Sequence, residues 1–179
     1  MCRPGDELIP CLVQAGCDEK VIKHCVTVRN VALNIASGIS ATGLPVNLDL
    51  VAKGAIIHDI GRSVTHGLEH ADAGGEICKK LGMGEEIISI VERHIGAGLK
   101  SEERVKAGLA PGDRIPQTLE EKIVAHADNL VKGSRLMSPD EYQDSLLKFP
   151  EYVRQRFRDL SKELGSPEEN PEFYKTIKE

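Results

Sequence analysis

The chain has 179 residues, 40% hydrophobic and 28% charged, the mix of one soluble globular domain with a substantial core. A formal net charge of −5 gives no basic footprint for a long nucleic acid, although local positive charge could still hold a small phosphorylated ligand. No stretch approaches the roughly 18 apolar residues of a membrane span, so no membrane partner is expected.

The opening MCRPGDELIP has no long apolar run and carries acidic residues early, unlike a signal peptide. Residues 5–15 read as a short amphipathic helix stopped by Gly16. Asp18 caps a long helix, DEKVIKHCVTVRNVALNIASGI, that ends before Gly43 and Pro45. Asn47 caps LDLVAKGAIIHDI, which stops at Gly61 and lets the chain turn away there. Residues 69–81 and 84–95 repeat apolar positions at helical spacing, with Glu85 and Glu86 suited to the first turn of the second helix.

Residues 96–117, rich in Gly and charge, read as a long loop with one short helical piece; such loops are usually functional or disordered. Thr118 caps LEEKIVAHADNLVKG. Ser138-Pro139 opens a last helical region that runs to Leu164 and is broken or entered at Pro150. The tail SPEENPEFYKTIKE reads as polar and loosely ordered, and no repeat or strand alternation stands out. The fold class is therefore all-α. One domain spans 1–179, with a core at about 20–135, C-terminal helices at 136–165 and a polar tail at 166–179. Cys2, Cys11, Cys17, Cys25 and Cys78 form no C-x-x-C pair and read as free thiols in a reducing cytoplasm.

The polar residues on apolar faces carry the chemistry. His24 shares a stripe with Val28, Val31 and Ile35, and His94 shares one with Ile87, Ile90 and Val91. Asp128 lies between Val124 and Val131 on an inward face, where an unpaired charge is very costly. His58-Asp59 ends the apolar run in GAIIHDIGRSVTHGLEHADAGG. Each residue alone is more often a hydrogen-bonded core histidine or a paired carboxylate. Together, three helices each aim one ligand-type group inward and a fourth ends in His58-Asp59. One bound cation would account for all of them, and imidazole with carboxylate suits Mn, Fe, Co, Ni or Zn rather than Ca.

The series His24 … His58-Asp59 … Asp128 resembles the H…HD…D signature of HD-domain metal-dependent phosphohydrolases, and IHDIG at 57–61 is similar to the HDIG form of its centre. The likeness covers about residues 20–135. It is nearest to small stand-alone HDIG proteins and weaker to bacterial HD-type diadenosine tetraphosphate hydrolases. The G-Y-P element of cyclic-di-GMP phosphodiesterases is missing after His94. The resemblance implies a bundle of about six to eight helices. It also implies a metal held by the first histidine, the HD pair and the last aspartate. In two-metal members two more histidines follow, and His70 in EHADAGGEI and His94 in VERHIGAG resemble them. On that reading Asp59 bridges two ions; His24, His58 and Asp128 hold one, and His70 and His94 hold the other. The expected cofactor is thus one or two divalent ions of Fe, Mn, Co, Ni or Zn. His66 competes with His70, since residues four apart share a helix face. With a break at Gly67, His70 is the ligand and His66 lies in the mouth loop near the substrate. His126 points elsewhere, to a structural role or the surface.

The implied activity is hydrolysis of a phosphate ester or anhydride, of a nucleotide or another small phosphorylated substrate, by a metal-activated water, with Asp59 and His58 at the catalytic centre. Arg62 either neutralises a phosphate oxygen or is a solvated helix-end charge, and the two readings stand level. Candidate substrate contacts are Arg62, His66, Lys100 and Lys132. Lys100, Arg104, Lys106 and Arg114 could form a lid over a phosphate, although a solvated charge is the plainer reading of each. Lys132 and Arg135 are equally open. Two other classes compete: a non-catalytic HD module that binds a nucleotide and signals by conformation, and a di-iron oxygenase. The intact ligand set favours an enzyme over the module. A homodimer is compatible with the pattern.

Overall fold

Helix starts follow the capping chemistry of the chain. The structure is a computed structural model that describes residues 3–176. A 3₁₀ turn at Asp6–Leu8 leads into α1 (Ile9–Ala15). α2 (Glu19–Ala41) begins at Asp18, whose Oδ1 accepts the Val21 N–H at 2.8 Å. α3 (Leu48–Ile57) begins at Asn47, whose Oδ1 accepts the Leu50 N–H at 3.0 Å. A 3₁₀ turn at Ile60–Ser63 precedes α4 (His70–Lys80), α5 (Glu85–Arg93) and the short α6 (Ser101–Lys106). α7 (Leu119–Leu130) starts at Thr118, whose hydroxyl accepts the Glu121 N–H at 3.2 Å. An antiparallel hairpin follows, β1 (Val131–Lys132) with β2 (Arg135–Leu136). α8 (Pro139–Leu146) carries a full capping box, in which Ser138 and Glu141 each accept the other's backbone N–H. α9 (Glu151–Glu163), a 3₁₀ turn at Pro167–Glu169 and α10 (Pro171–Thr176) complete an all-α bundle. Each side-chain cap occupies a helix-start donor with no intrahelical partner and contributes about 1 kcal/mol.

α2 packs along α3 and α7, and α3 also touches α5 and α7. α4 packs against α5 and the Ile60–Ser63 turn. The inward stripes build two apolar clusters. One joins Val28, Val31 and Ile35 to Val51, Ala55, Ile90, Val124 and Ala127, and extends to Leu146 and Phe157. The other joins Leu12, Cys25, Ile56, Ile57, Ile60, Cys78 and Val91. α2, α3 and α5 feed both clusters, which fixes these helices against one another and so fixes the polar residues at their ends. Among the described residues no helix is long and apolar enough to cross a membrane. Cys11, Cys17, Cys25 and Cys78 are free thiols, and Cys2 lies outside the described residues.

The structure departs from the sequence reading in four places. First, α3 ends at Ile57 rather than running to Gly61, and the His58 ring bonds back to the Ala55 carbonyl at 2.8 Å, which satisfies an end carbonyl. Second, residues 96–117 are pinned. Leu99 and Arg114 exchange backbone bonds at 2.9 and 2.8 Å, and buried Arg104 bonds Asp72 at 2.8 Å and the Ala110 carbonyl at 3.0 Å. Third, the chain after Leu130 leaves the helix for the hairpin, where Gly133 takes the positive φ (64°) of a tight turn. Fourth, the tail up to Thr176 packs as the Pro167–Glu169 turn and α10, with Glu168 and Phe173 buried. Residues 177–179 lie outside the described residues.

Candidate metal centre

Four imidazoles meet two carboxylates where α2, α3, α4, α5 and α7 converge. His24 comes from α2 and Asp128 from α7. His58 and His94 are the residues just past the ends of α3 and α5, and His70 opens α4. Asp59 precedes the Ile60–Ser63 turn.

Each imidazole is oriented the same way. The Nδ1 atoms lie 2.7 Å from the Gly133 carbonyl for His24, 2.8 Å from Ala55 for His58, 2.6 Å from Gly67 for His70 and 2.7 Å from Val91 for His94. A carbonyl only accepts, so each Nδ1 carries the proton and donates it. In the neutral tautomer every Nε2 then presents a lone pair, and all four point into the cluster. That is the orientation metal-binding histidines take from their backbone partners. For His58, His70 and His94 the partner is the carbonyl three residues earlier.

Asp59 divides the cluster in two. Its Oδ2 lies 3.7 Å from His24 Nε2 and 3.8 Å from His58 Nε2. Asp128 Oδ1 lies 2.9 and 3.5 Å from the same two atoms. The other oxygen, Asp59 Oδ1, lies 3.1 Å from His70 Nε2 and 3.5 Å from His94 Nε2, and those two nitrogens are 3.0 Å apart. Ligands about 2.1 Å from one ion sit about 3.0 to 3.4 Å from each other at octahedral or tetrahedral angles. The Asp59–His70–His94 triangle is close to that spacing, as is Asp128 Oδ1 to His24 and His58, while Asp59 Oδ2 stands wider from those two, at 3.7 and 3.8 Å. Proximity alone would also group His58 with His94 and Asp128. His94 and His70 bring their Nε2 atoms face to face and share Asp59 Oδ1 as a neighbour.

The chemistry of the donor set also fits a cation. Among the described residues His58 Nε2 is buried without a hydrogen-bond partner, and opposed lone pairs on His70 and His94 repel unless positive charge lies between them. Burial alone would raise the Asp59 carboxyl, but the His58 charge and the neighbouring His70 and His94 imidazoles hold it well below the ordinary carboxylate range. Burial is likewise overcome at Asp128, by His24 and His58. Burial opposes protonation of His58, yet Asp59 and Asp128 outweigh it and raise that imidazole to about 9. At His94 burial wins and its pKa is lowered. The carboxylates thus draw positive charge into the cluster, as a proton on His58 or as a metal ion.

Glycines set the distances. A Cβ at Gly61 would lie 1.9 Å from the His70 carbonyl oxygen and 2.6 Å from the Gly74 nitrogen. Gly61 does not take a positive φ, so its role is close approach of α4 rather than the turn expected from the sequence. Bringing α4 this near is what places His70 beside Asp59.

His70 lies in the cluster, while His66 is exposed and its carbonyl accepts from Arg62 Nη1 at 2.9 Å. Arg62 Nε donates to Asp59 Oδ1 at 3.0 Å, so the side chain is tied to the cluster rather than being a solvated helix-end charge. Lys100 is exposed, at the start of α6. Arg104 and Arg114 are taken up by Asp72 and Glu92, which draws them away from a lid, and Arg135 pairs with Glu141. His126 is fully buried and pairs with Glu168 at 2.9 Å, which makes it a tether for the tail. The Gly133 carbonyl that orients His24 was missed. Its signal was the Gly133-Ser134 pair directly after the α7 pattern. The cluster's open edge lies at His24, Asp128 and Arg62, whose side chains are 16%, 22% and 29% exposed, whereas His70 and His94 are closed off.

The HD-domain family model matches residues 21–133, the span that holds all six clustered side chains. An uncharacterized protein of Methanocaldococcus jannaschii is 49% identical over 125 residues, covering 70% of this chain and 74% of that protein. A tRNA (cytidine(56)-2'-O)-methyltransferase of Picrophilus torridus is 45% identical over 139 residues; these cover 78% of this chain but only 39% of that enzyme's length. Among solved structures, the HD domain of the L. monocytogenes phosphodiesterase PgpH in complex with cyclic-di-AMP superposes with a TM-score of 0.56 at 20% identity. That match covers 86% of this chain and 92% of the other and shows a shared fold. The matched family span and the relative aligned over most of both chains settle the affiliation: the chain belongs to the HD-domain family.

Proposed function

We propose that the protein is a metal-dependent phosphohydrolase that cleaves a phosphate ester or anhydride of a nucleotide or another small phosphorylated compound. The observation that carries this reading is the division of Asp59, with one oxygen facing His24 and His58 and the other facing His70 and His94. In this reading His24, His58 and Asp128 would hold one divalent ion, His70 and His94 would hold a second, and Asp59 would serve both groups. Bound divalent ions supply Lewis acidity, which makes water nucleophilic at neutral pH and draws charge off a phosphoryl oxygen. Asp59, kept ionised, acts as an acceptor on both sides. Substrate approaches at the open edge beside His24 and Asp128. Arg62 contributes positive charge at that edge, with Nε and Nη1 held and Nη2 left for a phosphate oxygen.

The test is turnover by protein reconstituted with Mn, Fe, Co, Ni or Zn. The panel includes p-nitrophenyl phosphate, bis-p-nitrophenyl phosphate, nucleotides, dinucleotides and cyclic-di-AMP, the last because the PgpH HD domain binds it. At least one compound should be hydrolysed by wild type, and Asp59→Asn should reduce turnover by about 100-fold or more. Fully metallated protein that hydrolyses no member would overturn the reading. Binding without turnover would favour the non-catalytic module, and oxygen consumption by the ferrous protein would favour the oxygenase.

A further inference from the structure

The two helices that place His70 and His94 are also joined on the side away from the cluster. Asp72 stands two residues after His70 on α4, and Glu92 stands two before His94 on α5. Residues two apart on a helix lie about 200° apart around its axis, so each carboxylate points out of the cluster where its neighbouring imidazole points in. Arg114 reaches both carboxylates. Its Nη2 lies 3.2 Å from Glu92 Oε2, and its Nε lies 3.6 Å from Asp72 Oδ1. The Nε and Oδ1 atoms are shielded from solvent and have no hydrogen bond among the described residues, so each balances the other's charge.

The clasp is firmly mounted. The Arg114 backbone is paired with Leu99 by two hydrogen bonds, at 2.9 and 2.8 Å. Buried Arg104 takes the other oxygen of Asp72 at 2.8 Å and holds the loop through the Ala110 carbonyl at 3.0 Å. From α5, Glu92 lies across α4, where a Cβ at Gly75 would come within 2.6 Å of its Oε1. Lys79 also joins Glu92 to α4, at 3.3 Å, but its side chain is 46% exposed and such a solvated pair contributes little. Arg114 is suited to the task because a planar guanidinium can face two carboxylates at once.

We propose that Arg114 is a positioning residue for the second ion: it clasps α4 to α5 from behind and holds His70 and His94 at metal-binding separation. The loop at 96–117 then serves the site from its back rather than as a lid over its mouth. The inference rests on the two-ion reading. A metal site tolerates about 0.2 Å of displacement, and the His70 and His94 Nε2 atoms are 3.0 Å apart, so a slight parting of α4 and α5 weakens this half. His24, His58 and Asp128 are carried by α2, the end of α3 and α7, which the clasp does not join.

The experiment titrates metal-free full-length protein with Mn by calorimetry and measures Tm for each variant. Wild type should take up two ions. Arg114→Met should weaken the second by about 10-fold and leave the first unchanged. Arg114→Glu sets a third negative charge beside Asp72 and Glu92 and should weaken the second by about 100-fold. Arg114→Lys keeps the charge but not the fork, and should fall between wild type and Arg114→Met. Glu168→Ala, altered at the tail, is the stability control and should bind both ions as wild type does. In crystals of metal-free Arg114→Glu the two Nε2 atoms should stand farther apart than 3.0 Å. Unchanged binding of the second ion in Arg114→Met and Arg114→Glu would overturn the inference, as would losses that reach both ions alike and follow Tm rather than charge. The two readings fail separately. A wild type that takes up one ion or none would sink the two-ion reading, and the crystal separation would still decide the clasp, with an unchanged distance overturning it. Two ions bound by wild type and by every Arg114 variant alike would sink the clasp alone.

Discussion

Replacing Gly61 by alanine adds one methyl group at the point where α4 rests on the Ile60–Ser63 turn. That methyl would sit 1.9 Å from the His70 carbonyl oxygen and 2.6 Å from the Gly74 nitrogen. Ordinary carbon–oxygen contacts are about 3.3 Å, so α4 must retreat by about 1.4 Å. Both obstructing atoms are backbone, and no rotamer change relieves them. The expected cost is about 3 kcal/mol, at the upper end for overpacking, or a loss of about 6–12 °C in Tm for a chain of this size. The retreat also withdraws His70 from Asp59 Oδ1, now 3.1 Å away, by far more than the roughly 0.2 Å a metal site tolerates. Calorimetry and elemental analysis of reconstituted Gly61→Ala should therefore show a lower Tm and about one ion fewer per chain. Gly74→Ala meets the Val91 side chain first, at 2.7 Å, and should cost about 1 kcal/mol because that side chain can shift. A Gly61→Ala protein that melts within about 2 °C of wild type with full metal would refute the close-approach argument.

Protonated His58 stabilises the metal-free fold below its unfolded pKa of about 6.5, and that contribution, up to about 3 kcal/mol, is lost as pH rises through about 9. Neutral His94 acts in the opposite direction, with stability lost below about 6.5. Urea unfolding at pH 6.5 and 9.5 should show the drop in metal-free protein and not in metal-saturated protein; equal drops in both would refute it. Gly133→Val strains a turn at φ 64° and displaces the carbonyl that orients His24, so metal affinity should fall about 10-fold with a modest stability loss, read by competition with a chelator. Glu168→Ala leaves His126 buried without its partner and should cost about 1–3 kcal/mol with unchanged metal content, and a loss of metal there would contradict a purely structural tether.

The helix starts were legible because a cap is a local event: Asp18, Asn47, Thr118 and Ser138 each bond a donor three residues on. The inward stripes placed His24, His94 and Asp128 for the same reason, since 3.6-residue periodicity is written in the chain. What escaped depends on distant backbone. The hairpin strands are two residues each, too short to show alternation, yet the turn between them delivers the carbonyl that fixes His24. Gly61 read as a turn residue because the approach of α4 is tertiary. The tail read as loose because, among its described residues, only Glu168 and Phe173 of a polar stretch are strongly buried, and their partners lie elsewhere in the chain. The Arg114 clasp joins side chains far apart in sequence, so no local pattern announces it.

The most direct test is the metal content of wild type, Asp59→Ala and His94→Ala after reconstitution and removal of loosely bound ions. Asp59 Oδ2 faces His24 and His58 and Oδ1 faces His70 and His94, so its loss should cost both ions, while His94→Ala should cost mainly one. A wild type that retains no transition metal, or an Asp59→Ala protein as fully loaded as wild type, would contradict the account.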